Sequence, residues 1–328
     1  MTGTPRMRAG LPGRILLAVC ALLATAVSAQ SDWPTKPVRV VVGFPAGTAA
    51  DLLARLLAER LGAAFGQAFV VDNRLGQSGS ISASAVARAP ADGYTAILCG
   101  VAQLAGNPHL YKNLPYDPLV SFAPVTTVAQ APLVLVAGAA LNVGSVAELV
   151  SLARTHPGKI NFGSSGSGTA PHLTMELLKS ATGINLVHVP YKGGTNVQTA
   201  LMGGDISVAF DTTAVMPLVK AGKLRALAVS SANRSALVPD VPAVAETLPG
   251  FNISIWYGFL LPAGAPVEIV EKLNAEIRKY LASAEGTARV RAIGAEPMGG
   301  TPEALRQLVK VELDRWGKAV EVSGAKLD

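Results

Sequence analysis

Residues 38–51 read VRVVVGFPAGTAAD and residues 160–172 read INFGSSGSGTAPH, so the chain contains the same pattern twice. In each stretch a short strand-like run leads into a glycine-rich loop, after which a helix is predicted to begin. In open α/β sheets, ligands bind at the carboxyl ends of the strands, where helix N-termini point. Two such loops, one in each of two domains, predict a single site shared across a cleft.

Strand and helix signals alternate along the rest of the chain. Further strands are predicted at 67–71, 94–98, 186–189, 206–210 and 224–229. Helices are predicted at 51–61, ending at Gly62; from a capping box at 145–148 to His156; at 171–181, ending at Gly183; from Pro266, as the first helical residue, to about 281; and from Thr301 onward. Repeated units of strand, loop and helix favour parallel, doubly wound sheets.

Two apolar stretches, 125–136 and 253–261, are candidates for strands that cross between two lobes. We therefore expect an α/β fold of two doubly wound lobes with crossing strands at the hinge. The first lobe is expected to be discontinuous, with residues 30–129 and 256–328, and the second to comprise residues 130–255. A chain of 328 residues, 50% of them hydrophobic, fits two α/β domains of ordinary size.

The N-terminus has the features of a secretory signal peptide, predicted to cover residues 1–29. Three arginines precede an apolar segment at 15–27, and small residues lead to a cleavage site near Ala29. The apolar segment is too short to span a bilayer, and a lipoprotein is disfavoured because Cys20 lies inside that segment. We expect an exported, periplasmic protein in which Cys99 is a buried structural thiol.

Composition and spacing argue against several classes of function. The formal net charge is +6, but no cluster of Lys and Arg with interleaved aromatics indicates a nucleic-acid partner. The four histidines, at 109, 156, 172 and 188, lack the spacing of metal ligands. We therefore expect neither a metal site nor a cofactor.

The first glycine-rich loop supplies five candidate ligand contacts: Phe44, Ala46, Gly47, Thr48 and Asp51. Gly47 lets the backbone turn and approach a ligand closely. The helix that follows offers free N–H groups and a positive end, which favour an anion. Two roles stay open for Asp51: it compensates the helix dipole, or it holds the loop or a ligand amine.

The second glycine-rich loop supplies Ser164, Ser165, Gly166, Thr169 and His172 as candidates. Hydroxyls and free N–H groups at a helix start form an uncharged cradle for an anion. The loop lacks the lysine of a P-loop, the Gly-x-Ser-x-Gly of a nucleophile elbow and the last glycine of a Rossmann fingerprint. Two alternatives stay open: a merely flexible loop, and a hydrolase that pairs His172 with one of the loop serines.

Loops after other predicted strands supply the remaining candidate contacts. These are Ser80, Ala102, Tyr191, Thr195 and Asp211. Each lies in a polar or glycine-containing loop that can reach a cleft, although each such loop by itself resembles an ordinary surface loop.

A series of ordered motifs resembles the Bug (TctC-type) solute receptors. The motifs are WPTKPVR at 33–39, FPAG at 44–47 with Asp51, VDNR at 71–74, ADGYT at 91–95, FAPV at 122–125, GS at 163–164 with HL at 172–173, HVPYKGG at 188–194, GKLRALAV at 222–229 and PDVP at 239–242. The resemblance covers nearly the whole mature chain. Thr48 stands where a second glycine is usual, Ala50 where a hydroxyl often stands, and Leu75 where proline is usual. These departures concern the ligand rather than the fold.

The resemblance implies a periplasmic binding protein of the Venus-flytrap type that is not an enzyme. Its ligand would be a small carboxylate, such as a tri- or dicarboxylate, an amino acid or an aromatic acid. The protein would deliver this organic acid to the membrane components of a tripartite tricarboxylate transporter, or act as an orphan or sensory receptor for a signalling partner. In that family, loop backbone, hydroxyls and water hold the carboxylate rather than Arg or Lys. We expect a monomer.

Overall fold

The computed structural model describes residues 1–4 and 33–327. The chain divides into two compact units, Met1–Thr35 and Lys36–Asp328. In the first unit, the described residues 1–4 and 33–35 form neither helix nor strand. Beyond its first four residues, the predicted signal peptide with its cleavage site near Ala29 therefore lies outside the described residues, as does Cys20.

Strands and helices alternate along the second unit. In chain order the strands are β1 (Val38–Val42), β2 (Phe69–Asn73), β3 (Thr95–Gly100), β4 (Phe122–Pro132), β5 (Val134–Gly138), β6 (Asn161–Ser164), β7 (Val187–Pro190), β8 (Val208–Asp211), β9 (Leu224–Val229), β10 (Ser254–Pro262) and β11 (Glu296–Pro297). The helices are α1 (Ala49–Phe65), α2 (Ser80–Ala87), α3 (Asn107–Leu110), α4 (Val146–Thr155), α5 (Ala170–Thr182), α6 (Gly194–Gly203), α7 (Met216–Lys220), α8 (Val267–Leu281), α9 (Ala284–Ala292) and α10 (Pro302–Ser323). Within the described ranges, none of the helices has both the length and the apolar character that crossing a membrane requires.

The strands form two sheets, of six and five strands in the described part of the chain. The first has the order β11-β4-β10-β3-β1-β2 and the second the order β7-β6-β8-β5-β9. The predicted alternation of strands and helices is confirmed, but the prediction of parallel sheets is only partly right. β10 is antiparallel to β3 and β4, and β5 is antiparallel to β8 and β9. The reason is that the chain leaves the first sheet along β4 and comes back along β10, in opposite directions.

Ser230 joins the two places where the chain passes between the sheets. The first passage is Leu133, which separates β4 from β5, and the second ends at Ile253, directly before β10. The Ser230 hydroxyl accepts a hydrogen bond from the Leu133 amide at 2.9 Å and donates one to the Ile253 carbonyl at 2.7 Å. Because Ser230 is fully buried, these hydrogen bonds hold the two passages side by side away from water.

Buried side chains dominate the strands at the centre of each sheet. In β1 only Arg39 is exposed, as expected for a strand that is covered on both faces. In β3 all six residues are buried, including Cys99. Burial raises the pKa of the Cys99 thiol far above its usual value, which suits the predicted structural role.

Helix α1 is longer than the sequence predicts. It continues past Gly62 to Phe65 and ends at Gly66, which has a left-handed conformation with φ 69°. A glycine inside a helix costs only about 1 kcal/mol, and the packing of the buried leucines of α1 outweighs that cost. The prediction that Gly62 ends the helix was therefore wrong.

Two other helix starts also differ in detail. At α4, the Ser145 hydroxyl accepts a hydrogen bond from the Glu148 amide at 3.2 Å, but the Glu148 carboxylate accepts from the Gly144 amide at 2.7 Å. The predicted capping box is therefore only half formed. Pro266 precedes the first helical residue of α8 instead of occupying that position.

Candidate functional site

The carboxyl ends of three neighbouring strands meet at one edge of the first sheet. β1 lies between β2 and β3 and is parallel to both. Phe44 follows β1, Ser78 lies in the segment after β2, and Gly100 ends β3. In the second sheet, β6 is likewise parallel to its neighbours β7 and β8. Both edges are of the type at which open α/β sheets bind ligands.

A cavity of about 220 Å³ is lined by residues that follow strands of both sheets. In chain order its lining residues are Phe44, Ser78, Gly100, Val101, Ala102, Gln103, Gly106, Asn107, Gly168, Thr169, Ala170, Leu173, Ile255, Tyr257 and Trp316. A single molecule in this cavity would contact the strand ends of both sheets, the returning strand β10 and the last helix, α10.

Three of the residues predicted to bind a ligand contribute to this lining: Phe44, Ala102 and Thr169. The others lie outside the lining, most of them in the same loops or in loops next to them. They are Ala46, Gly47, Thr48, Asp51, Ser80, Ser164, Ser165, Gly166, His172, Tyr191, Thr195 and Asp211. For several of these residues, the hydrogen bonds show what holds the lining in place.

Asp51 holds the first loop by accepting three hydrogen bonds. Its carboxylate accepts from the Gly47 amide, the Arg55 side chain and the Asn73 side chain, each at 2.9 Å. Asn73 also donates to the carbonyl of Phe44 at 2.9 Å. Burial raises the pKa of Asp51, but hydrogen bonds from Arg55, Gly47 and Asn73 outweigh it, so the pKa lies below its usual value. This geometry matches the sequence-based reading in which Asp51 holds the loop.

The loop after β2 has a strained backbone. Four consecutive residues have positive φ: Gly76 (122°), Gln77 (47°), Ser78 (49°) and Gly79 (86°). For residues other than glycine, such conformations cost about 1–3 kcal/mol each and often occur at ligand sites. The side-chain amide of Asn107 clamps this loop, since it donates to the Ser78 carbonyl at 3.2 Å and the Ser80 hydroxyl at 2.7 Å. Ser80 thus supports the lining without being part of it.

Gln103 brings an unpartnered donor to the lining. Its Oε1 accepts a hydrogen bond from the Gly100 amide at 3.2 Å, while its buried Nε2 has no hydrogen-bond partner in the described part of the chain. Two glycines make room for this side chain. A Cβ on Gly43 would lie 2.9 Å from Nε2, and a Cβ on Gly79 would overlap it.

The second loop is held by hydrogen bonds within itself and to α5. The Thr169 hydroxyl donates to the Gly166 carbonyl at 2.7 Å, and the Ser165 hydroxyl donates to Thr169 at 3.3 Å. The Gly168 amide donates to Nδ1 of His172 at 3.0 Å. These contacts place Gly168 and Thr169 in the lining, at the N-terminus of α5.

His172 and His188 form a stacked pair behind the second loop. Their ring centroids are 3.8 Å apart, and His188 also stacks on Phe162 at 4.8 Å. Burial, together with the charges of His188 and Lys179, lowers the pKa of His172 to about 3. Burial and Lys179 also lower the pKa of His188. Both rings are therefore neutral at pH 7, and Nδ1 of His172 is free to accept the Gly168 amide.

Tyr191, Thr195 and Asp211 lie in the neighbouring segments that follow β7 and β8. The Tyr191 amide donates to the Ser164 carbonyl at 2.9 Å, and the Thr195 carbonyl accepts from Thr199 at 3.1 Å. Asp211 accepts from the Thr212 amide at 2.7 Å and the Gln198 side chain at 2.9 Å. Burial raises the pKa of Asp211.

The described lining residues include no Asp, Glu, Lys, Arg or His. The polar side chains among them, those of Ser78, Gln103, Asn107, Thr169 and Tyr257, are uncharged. Burial raises the pKa of Tyr257 to about 12, so its hydroxyl stays protonated. The cavity can therefore bind an anion only through neutral donors and helix N-termini.

A family model described as "Tripartite tricarboxylate transporter family receptor" (TctC) matches residues 53–325. The chain belongs to this family. The finding confirms the resemblance to the Bug receptors, and it confirms the predicted α/β periplasmic binding protein fold with two lobes. Members of the TctC family are periplasmic solute receptors rather than enzymes.

Relatives and solved structures agree with this assignment. Protein BugT of Bordetella pertussis is 36% identical over 322 residues, which cover 96% of this chain and 98% of BugT. Rpa4515 from R. palustris, whose structure was solved with adipate, has 42% sequence identity to this chain and superposes with a TM-score of 0.78. The match covers 90% of this chain and 100% of Rpa4515. MatC from Rhodopseudomonas palustris, whose structure contains bound malate, has 30% sequence identity to this chain and a TM-score of 0.73. The match covers 88% of this chain and 100% of MatC.

In this TctC-family receptor, a buried carboxylate orients one wall of the cavity. Glu312 accepts hydrogen bonds from the indole nitrogens of Trp316 at 2.9 Å and Trp256 at 3.2 Å, and it pairs with Arg315. Trp316 lines the cavity, so Glu312 sets the position of that ring. These residues were not among those predicted from the sequence. The available signal was the spacing of four between Glu312 and Trp316, which places both on one face of a helix.

The TctC-family receptor also contains a serine–histidine contact different from the one considered for a hydrolase. Ser164 Oγ lies 2.7 Å from Nε2 of His188, whereas Nδ1 of His172 accepts the Gly168 amide. Ser164 is fully buried and lies outside the cavity lining. Across residues 1–4 and 33–327, no group of three or more His, Cys, Asp or Glu side chains is arranged to hold a metal ion.

Proposed function

We propose that this chain is an extracytoplasmic solute receptor that binds a small carboxylate in the 220 Å³ cavity and hands it to a tripartite tricarboxylate transporter. The observation that carries the proposal is that the lining comes from strand-end loops of both sheets. A ligand bound there would bridge the two lobes and stabilise their closure. The family assignment and the carboxylates in the related structures support the same reading.

The N-terminus of α5 is one candidate position for a carboxylate. Ala170, its first residue, lines the cavity, and the amides at a helix start have no partner within the helix. Thr169, which precedes it, uses its hydroxyl on Gly166 and does not cap the helix. The helix dipole contributes about 0.3–1 kcal/mol for an anion there. Several such neutral contacts together can supply the roughly 8 kcal/mol of micromolar binding.

Six of the fifteen residues predicted from sequence fall into two groups under this proposal. Phe44, Ala102 and Thr169 contact the ligand, while Asp51, Ser80 and His172 hold the loops that carry such contacts. The lobes are residues 30–129 with 256–328 and residues 130–255, and they close about the segments joined by Ser230. Support for this division comes from the chain passages at Leu133 and Ile253.

Under this proposal the protein is exported and does not catalyse a reaction. The pattern of residues 1–29 supports secretion to the periplasm with cleavage near Ala29. A sensory or orphan role would use the same cavity and a different membrane partner. A hydrolase is disfavoured because Ser164, which contacts His188 at 2.7 Å, is fully buried and lies outside the cavity lining; turnover of acyl esters that disappears in Ser164→Ala would contradict this reading.

Calorimetry of the purified protein against mono-, di-, tri- and aromatic carboxylic acids tests the receptor function. We expect at least one acid to bind with micromolar affinity. Ala102→Leu, which fills part of the cavity, should abolish that binding, while Ala63→Leu on the exposed surface of α1 should not affect it. The proposal would be overturned if no acid in the panel bound, or if the two variants bound an acid equally well.

A further inference from the structure

The walls of the cavity are largely hydrocarbon. Phe44, Leu173, Ile255 and Trp316 line it with aromatic and aliphatic carbon. The indole nitrogen of Trp316 is already bonded to Glu312 at 2.9 Å, so this ring has no free polar atom for a ligand. A hydroxyl on the body of a ligand would lose its hydrogen bonds to water against such walls.

Among the described residues, two side chains of the lining, at the carboxyl end of β3, have a hydrogen-bond donor without a partner. The register of β10 against β3 places Tyr257 opposite Gly100, and the Gly100 amide donates to Gln103 Oε1. Nε2 of Gln103 is buried without a partner, and the Tyr257 hydroxyl forms no hydrogen bond within the described part of the chain. Both groups can donate a hydrogen bond, and a donor without a partner suits a ligand group that accepts, such as a carboxylate.

In the part of the chain that the structure describes, the two carboxylates that hold the cavity's first loop and its Trp316 wall are already engaged by other groups. The described lining residues include neither Asp nor Glu. Asp51 already accepts hydrogen bonds from Gly47, Arg55 and Asn73, and Glu312 already accepts from two indoles and pairs with Arg315. An ammonium on the ligand would therefore be taken out of water without an opposite charge, which is costly.

We propose that this cavity selects carboxylates whose body is plain hydrocarbon, either an alkyl chain or a single ring, over hydroxy acids and amino acids of the same skeleton. The proposal rests on the receptor function proposed above. An apolar cavity of about 150 Å³ accommodates benzene, so a cavity of about 220 Å³ has room for one ring and its carboxylate. The preference follows from what surrounds the body of the ligand, not from the number of its carboxylates.

Two sets of acids with matched skeletons test the preference by calorimetry. One set is adipate, 2-hydroxyadipate and 2-aminoadipate; the other is 3-phenylpropanoate, 3-phenyllactate and phenylalanine. In the set whose skeleton binds, we expect the unsubstituted acid to bind about 10- to 100-fold more tightly than its hydroxy analogue. The amino analogue should bind more weakly still.

The possible results separate the two proposals. A hydroxy or amino acid that binds as tightly as its unsubstituted parent, or the binding of citrate or malate alone, would overturn the selectivity and leave the receptor function intact. If no acid binds, both proposals fail. A crystal structure that shows the acid bound outside the cavity would likewise overturn both proposals.

Ile255 offers a second test that does not depend on the absolute affinity. Ile255→Thr keeps a β-branched side chain but adds a hydroxyl to the wall, so the preference over the hydroxy acid should shrink about tenfold. Ile255→Val, the apolar comparison of similar size, should keep the ratio. Circular dichroism spectra that match the parent protein would show that both variants fold. An unchanged ratio in Ile255→Thr would contradict the proposal.

Discussion

The backbone amide of Gly168 donates a hydrogen bond to Nδ1 of His172 across 3.0 Å. A loop that lines the cavity is thus held by an imidazole nitrogen that must carry no proton. The neutral state is secured by burial, by the stacked ring of His188 and by the nearby Lys179. The position of the loop therefore depends on the protonation state of a residue outside the cavity.

This relationship predicts that stability falls with acidification. His172 has a pKa of about 3 in the folded protein, lowered first by burial, against about 6.5 when unfolded. The unfolded state binds more protons below pH 6.5, so the stabilisation is complete above that pH and is lost as the pH falls towards 3. Between pH 7.5 and 5.5, urea unfolding should lose about 1 kcal/mol through this residue.

The matched variant is His172→Asn, which keeps an acceptor oxygen but does not titrate. The stability of this variant should change less between pH 7.5 and 5.5 than that of the parent protein. The same pH dependence in both proteins would show that the imidazole of His172 is not the group responsible. His188, whose pKa is also lowered, accounts for the dependence that persists in the variant.

Gly168 should be required for binding and not only for folding. It has φ +75°, and a Cβ would lie 3.1 Å from Leu110 Cδ1. Gly183, at the end of α5, has φ +69° with nothing within 4 Å of a Cβ. Alanine at either position should cost about 1–2 kcal/mol of stability, but only Gly168→Ala should weaken carboxylate binding, by about tenfold or more. Equal affinities of the two variants in calorimetry would refute this distinction.

Glu312 should stabilise the protein by satisfying two buried indoles. Glu312→Leu leaves the N–H groups of Trp256 and Trp316 without their partner, at about 1–3 kcal/mol each. We expect the free energy of unfolding in urea to fall by at least about 2 kcal/mol. Glu312→Gln, which keeps one carbonyl oxygen, should lose less. Leucine and glutamine variants of equal stability would argue against the indole contacts as the cause.

Ser230 should matter for stability in a way that the adjacent serine does not. Ser230→Ala removes the partner of the Leu133 amide and of the Ile253 carbonyl inside the protein, at about 1–3 kcal/mol. Ser231, whose hydroxyl bonds to an exposed carbonyl, is the matched control, and Ser231→Ala should change stability by less than about 0.5 kcal/mol. Thermal unfolding of both variants tests this prediction. A loss of stability in Ser230→Ala no larger than that in Ser231→Ala would contradict it.

The sequence predicted the parts of the site that depend on neighbours along the chain. Both glycine-rich loops lie where the pattern of strand and helix places them, and α5 ends at Gly183 as predicted. Two lining residues that were not predicted come from distant segments. Tyr257 enters through the register of β10 against β3, and Trp316 through the packing of α10. The spacing of four between Glu312 and Trp316 predicts only that these two side chains meet, and no local pattern predicts that Tyr257 or Trp316 reaches the cavity.

The partner of Ser164 illustrates the same limit. By sequence the nearby His172 was the histidine considered for a loop serine, but parallel pairing places His188 opposite Phe162 and within 2.7 Å of Ser164. His172 lies in the first turn of α5 and accepts the Gly168 amide instead. Sequence distance thus suggested the wrong histidine for Ser164.

By itself, the sequence determined the alternation of strands and helices, the two anion-favouring loops and the family to which the chain belongs. These depend on hydrophobic periodicity, glycine and short hydrogen-bonded motifs, which act over a few residues. Only the tertiary structure decided that the cavity is uncharged, that its walls are aromatic and aliphatic, and that Glu312 and His172 orient its lining. These features depend on strand register and helix packing, in which buried surfaces far apart in the chain select one arrangement.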